Sequence, residues 1–166
     1  MNYQRNGISS NTKAGKNFED KIYNYFDKEL GIELEKQKKV EIGINSKKKH
    51  SFDFGNNWLL IECKSHTWTK SGNVPSAKMK NWSDAMFSFY LAPREYKKIF
   101  VVDMSFDQEK CITLLDYFIE HYFYLIPEEV ILIDFNSDLD GIVSIYVYDS
   151  NSKKHVMSHD NLKNIF

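Results

Sequence analysis

The chain is poor in the residues that staple or interrupt a fold. Its 166 residues include two cysteines, three prolines and seven glycines. Cys63 and Cys111 lie far apart with no CxxC spacing, which argues against a zinc ribbon or a disulfide framework and for two reduced thiols. No apolar run is long enough to cross a bilayer. The opening "MNYQRNGISSNTKAGKNFED" has no apolar h-region of the kind a secretory signal carries. A cytoplasmic protein without membrane contact is the expectation. Internal repeats and low-complexity segments are missing, and the five histidines show no metal-ligand spacing. The net charge of −1 gives no general attraction to nucleic acid.

The distribution of charge is less even than its sum. Residues 1–80 hold 15 Lys/Arg and 9 Asp/Glu, a balance of +6, whereas residues 81–166 hold 7 and 14, a balance of −7. Such asymmetry allows a basic face on a nearly neutral protein. The length points to one domain, able to enclose a core without staples. Residues 1–13 are polar and read as a loose arm, with a single domain over 14–166. From Ala14 the spacing of Phe18, Ile22, Tyr25, Phe26 and Leu30 predicts a helix that stops at Gly31. Three strands follow: "IELEKQKKVEIGI", "HSFDFG" and "WLLIECKS". Ser76 reads as the N-cap of a second helix with Met79, Trp82, Met86 and Phe89 on one face. "KKIFVVDMS" is a strand, "KCITLLDYFIEHYFYLI" a third helix, and "EVILIDF" and "GIVSIYVYD" two more strands. The short links predict an antiparallel three-strand meander, and the helical link predicts a parallel fourth strand. The expected class is α/β, with a mixed central sheet flanked by helices.

Two of these strands carry charge where apolar residues belong. In "WLLIECKS", alternation puts Glu62 and Lys64 on one face and Cys63 on the other. In "HSFDFG", it puts Asp53 opposite Phe52 and Phe54. If the two strands pair, Asp53 sits beside Glu62. Neighbouring carboxylates repel and need a divalent cation, a shared proton or a lysine between them. An all-oxygen set of this kind suits Mg²⁺. The other reading is a structural ion cluster in which Lys64 neutralises Asp53 and Glu62. Buried clusters of that type are costly to build.

Asp53, followed after eight residues by Glu62-Cys63-Lys64, resembles the active-site signature of the PD-(D/E)XK nuclease superfamily. The order helix, three-strand meander, helix, strand resembles that superfamily's restriction endonuclease-like core over roughly residues 14–104, with a helix and strands added at the C-terminal side. Glu19 in "GKNFEDKI" sits where members often carry an extra acidic residue. Phe52 departs from the pattern by replacing the signature proline. The motif E-x-K also occurs at Glu19–Lys21 and Glu95–Lys97, but only Glu62–Lys64 lies in an apolar strand after a strand-borne Asp.

The resemblance implies a Mg²⁺-dependent DNA endonuclease, with Mn²⁺ as a substitute ion, similar to a small type II restriction enzyme and working as a homodimer. Asp53, Glu62 and the backbone carbonyl of Cys63 would hold the metal, Lys64 would orient water or stabilise phosphate charge, and Glu19 would support the metal from the first helix. Thr69, Lys70, Lys78 and Lys80 are candidate substrate contacts, with ordinary helix solvation as the other reading for the last two. A structure-specific resolvase or repair nuclease, and a non-catalytic interaction module on the same fold, are the competing functions.

Overall fold

The structure, a computed structural model, describes residues 5–160 and 162–166. Helix α1 (Arg5–Lys28) leads into strands β1 (Glu35–Ile42), β2 (Lys48–Gly55) and β3 (Leu59–Lys64). Helix α2 (Ser76–Leu91) and strand β4 (Lys97–Asp103) follow, then a small ribbon of β5 (Phe106–Asp107) and β6 (Ile112–Thr113). Helix α3 (Leu114–Tyr122), strands β7 (Val130–Asn136), β8 (Gly141–Asp149) and β9 (Lys154–Met157), and the short α4 (Leu162–Ile165) complete the order.

Seven strands form one mixed sheet in the order β1-β2-β3-β4-β7-β8-β9. β1, β2 and β3 are the antiparallel meander predicted from the sequence, and β4 and β7 run parallel to β3. The links β3–α2–β4 and β4–α3–β7 step across the sheet in one direction. Right-handed crossovers in one direction place their helices on the same face. Trp82 and Phe89 of α2 and Phe118 of α3 accordingly share a core with Leu60 and Phe100. Phe18, Ile22 and Phe26 of α1 cover the other face, against Leu59, Ile61 and Cys63. Each large side chain removed from water in these two layers contributes about 1.5–3 kcal/mol.

Several local expectations are corrected. α1 begins at Arg5, so residues 5–13 belong to the helix and not to a loose arm, while residues 1–4 lie outside the described residues. Ser, Asn and Thr are weak helix formers, and no apolar stripe runs through this stretch to reveal its helix. Ser76 is the first residue of α2 and not its cap. Pro75 precedes it, and no side chain caps the helix. Cys111 does not open a helix but lies in a turn with a φ of 55°. α3 starts at Leu114 because the Thr113 hydroxyl and the Asp116 carboxylate close a capping box.

The most consequential correction concerns β2. Phe52 and Phe54 do not share a face. Phe52 stacks on Phe89 of α2 at 5.3 Å, whereas Phe54 meets Tyr23 of α1 at 5.6 Å. The strand changes face at Asp53. Its neighbour across the ladder, Gln37, has a φ of 55°, and the paired positions pass from Lys36↔Phe54 to Lys38↔Phe52 without a Gln37–Asp53 pair. A left-handed residue cannot hold regular strand pairing, so the pleat breaks opposite Asp53.

Candidate active site

The turn between β2 and β3 sets the register of the charged residues. Asn56 holds it: its side-chain oxygen accepts from the backbone N–H groups of Trp58 and Leu59, each at 3.0 Å, and its amide donates to the Glu33 carbonyl at 3.1 Å. The strands pair at Gly55↔Leu60 and Phe54↔Ile61. One further step in this register sets Asp53 opposite Glu62, and there the backbone pairing ends. Asp53 enters the gap with its side chain, and its Oδ2 accepts from the Cys63 N–H at 2.8 Å. The two strands are thus split by a carboxylate that takes the place of a ladder bond. The N–H and C=O of one strand residue point to the same edge, so the Cys63 carbonyl faces this split as well.

Beside the split lies a cleft of about 740 Å³, lined by Glu62 and Lys64 from β3, Glu19 from α1 and Lys78 from α2. Lys64 Nζ donates to Glu62 Oε1 at 2.6 Å, and both side chains are mostly buried, at 18% and 16% exposure. Asp53 borders a smaller hollow of about 480 Å³ on the other side of Glu19, and Glu19 lines both spaces. The structure therefore brings Asp53, Glu62 and Lys64 of one hairpin together with Glu19 of α1.

Burial shapes the electrostatics. It raises the Asp53 pKa to about 6, with the Glu62 charge adding to the rise and Lys64 and the Cys63 N–H opposing it. Glu19 is also raised, first by burial and then by Asp53. Burial works against the Lys64 charge, but the Glu62 and Asp53 carboxylates outweigh it and hold the ammonium pKa above its ordinary value. Lys64 is therefore a cationic donor, not a base. The Cys63 thiol packs under α1, and burial pushes its pKa well upward, which leaves it without thiolate character.

One atom in this group lacks a partner. Glu62 Oε2 is buried and accepts no hydrogen bond among the described residues. A buried carboxylate oxygen without a donor is costly, and with Asp53 across the split it fits a hard divalent cation. Among the described residues, no three acidic, histidine or cysteine side chains form a metal cage unaided. The residues present could serve only a sparser kind of site, in which one or two carboxylates are completed by a backbone carbonyl and waters.

The remaining candidates separate. Lys70 and Lys78 line the cleft, whereas Lys80 is exposed on α2 and is not among the lining residues. Thr69 also lines the cleft, but its hydroxyl closes the following loop, accepting from the Asn73 N–H at 2.9 Å and donating to the Asn73 carbonyl at 3.0 Å. Trp68 ties that loop to the end of β4 through two hydrogen bonds to Ser105 of 3.1 Å. His66, which no spacing rule singles out, lines the cleft next to Lys64 and Lys78. The only sequence signal for it is its position two residues beyond Lys64.

Fold and site together define an α/β protein with an acidic, lysine-containing cleft at the end of a split strand pair. No known protein family, curated protein or solved structure matches the chain. Among the described residues, no helix is long and apolar enough to cross a membrane.

Proposed function

We propose that the chain is a Mg²⁺-dependent endonuclease that hydrolyses DNA phosphodiester bonds on a restriction endonuclease-like fold. The observation that carries this reading is the split between β2 and β3. Asp53 leaves the ladder to meet the Cys63 N–H, and Glu62 lies opposite with one buried oxygen unpartnered. An ion pair built for stability alone gives no reason to leave that oxygen free.

In this reading Asp53, Glu62 and the Cys63 carbonyl hold the ion, and Mn²⁺ is accepted in its place. When bound, the ion supplies Lewis-acid polarisation of the scissile phosphate and a water of lowered pKa. Glu19 accepts hydrogen bonds from water entering between the two spaces it lines. Lys64, kept protonated by its carboxylate neighbours, donates to the attacking water or to the phosphate oxygen on which charge builds. Lys70 and Lys78 place positive charge where the anionic backbone enters. Two copies of the chain acting as a homodimer account for cutting both strands of a duplex.

The test is incubation of plasmid DNA with the protein in Mg²⁺, in Mn²⁺ and in EDTA, beside the variants Asp53→Ala and Lys64→Ala. Metal-dependent nicking or linearisation by wild type, lost by at least about a hundredfold in each variant, is the expected result. Cleavage confined to four-way junctions would favour a resolvase. No cleavage of any DNA or RNA, or equal cleavage by the variants, would leave a non-catalytic module.

A further inference from the structure

The indole of Trp82 is fully buried in the α2–α3 layer, with Phe100 and Phe118 set edge-on to it at 5.4 and 5.2 Å. Its Nε1–H donates to Nδ1 of His66 at 2.8 Å, and the imidazole lies nearly parallel to the indole, at 20°. A tryptophan N–H can only donate. His66 Nδ1 must therefore carry a lone pair, the ring is neutral, and its single proton is on Nε2. A core residue thus fixes both the tautomer and the orientation of a ring that lines the cleft.

Nε2–H has no acceptor among the described residues, and His66 is only half-buried. The ring shares the cleft with Lys64 and Lys78. Glu19, Glu62 and Asp84 line the cleft too, but the charges that act on the ring are those of Lys78 and Lys64, and a donor held rigidly beside two ammonium groups selects an acceptor that carries negative charge. Base edges offer acceptors too, but only the phosphodiester backbone matches both the donor and the two ammonium groups.

We propose that His66 is a substrate-binding residue whose Nε2–H donates to a non-bridging oxygen of the phosphodiester backbone in the cleft. This rests on the nuclease reading and adds a phosphate contact to it. Burial, with Lys78 and Lys64 nearby, lowers the imidazole pKa to about 4, in keeping with a directional neutral donor and not a point charge. The contact positions the strand and carries no sequence information.

Two variants separate a substrate contact from a structural one. H66N keeps an oxygen near the Nδ1 position, able to accept from Trp82, but has no donor where Nε2–H stood. H66Q reaches the Nε2 position with an amide N–H and gives up the short acceptor. Binding of a fluorescein-labelled DNA duplex is measured in Ca²⁺, and KM and kcat for plasmid cleavage in Mg²⁺, with a melting curve for each protein. H66N is expected to bind about tenfold more weakly, with KM rising more than kcat and melting close to wild type. H66Q is expected to bind within a few-fold of wild type.

Unchanged binding by H66N overturns the proposal. So does loss of binding in both variants in step with their melting temperatures, which assigns His66 to the core. A change in which sequences are cut, with overall affinity kept, assigns the contact to a base edge instead. If wild type neither binds nor cleaves, the nuclease reading fails and this contact fails with it. If wild type cleaves and H66N matches it, only the contact fails.

Discussion

Asp53 shows how a single side chain can set stability against function. Its folded-state pKa of about 6 lies above the ordinary 3.8, so the folded chain holds the proton more tightly than the unfolded one. Between those two values folding takes up a proton, and stability falls as pH rises through that window. Above it the buried charge is a constant cost. Asn keeps an oxygen that can accept from the Cys63 N–H but has no charge. Asp53→Asn is therefore expected to stabilise the metal-free protein at neutral pH by about 1–2 kcal/mol. The gain should disappear below about pH 4, where wild type is protonated in both states. Urea denaturation at several pH values in EDTA measures it. A loss of stability at neutral pH would mean that Asp53 serves mainly as a partner for Lys64. The candidate site was legible at this scale because charges in apolar strands are rare and alternation sorts them. Glu62, Lys64 and Cys63 fall on the faces that alternation assigns. His66 was not legible, because its placement depends on an indole sixteen positions further along the chain.

At the scale of the element, the β2–β3 hairpin depends on a glycine as much as on its charges. A Cβ on Gly55 would stand 2.5 Å from the Leu59 carbonyl oxygen and 2.9 Å from Lys38 Cγ. The lysine can move, but the carbonyl belongs to the turn that sets the register. Gly55→Ala is expected to cost about 1–3 kcal/mol and to reduce cleavage beyond what the loss of folded protein explains, because the displaced turn shifts Glu62 relative to Asp53. Comparing melting curves with activity per folded molecule checks this. An alanine variant as active and as stable as wild type would show that the turn relaxes freely. Periodicity and turn residues predicted β1, β2, β3, β4, β7 and β8, the antiparallel meander and the parallel β4, but not the β5–β6 ribbon. They did not predict the face change at Asp53, since alternation assumes an unbroken pleat and gives no sign that Gln37 leaves it. Nor did they predict β9, whose four residues carry too little pattern to stand out from a polar tail. The apolar run through residues 110–126 read as one helix, although "TLLD" contains the capping box that starts α3 only at Leu114.

At the scale of the whole molecule, the cleft is where the layers meet. Glu19 comes from the helix on one face of the sheet, Lys78 from a helix on the other, and Glu62 and Lys64 from the sheet between them. The unfolded chain has no such arrangement, so an ion held there stabilises the entire fold. On the proposed reading, Mg²⁺ at tenfold its dissociation constant would add about 1.4 kcal/mol, which for a domain of this size corresponds to a melting shift of about 3–6 °C. The proton on Asp53 would compete with the ion. With its pKa at about 6, the shift should be full in mildly alkaline solution and should shrink as pH falls below that value. Asp53→Asn and Glu62→Gln should show no shift at any pH, even though the first of them starts from the higher melting temperature in EDTA. Scanning calorimetry with and without Mg²⁺ at a series of pH values, on the three proteins, distinguishes this from ion binding elsewhere on the surface. A shift that survives Glu62→Gln, or that does not change with pH, would remove the split strands as the place where the ion is held.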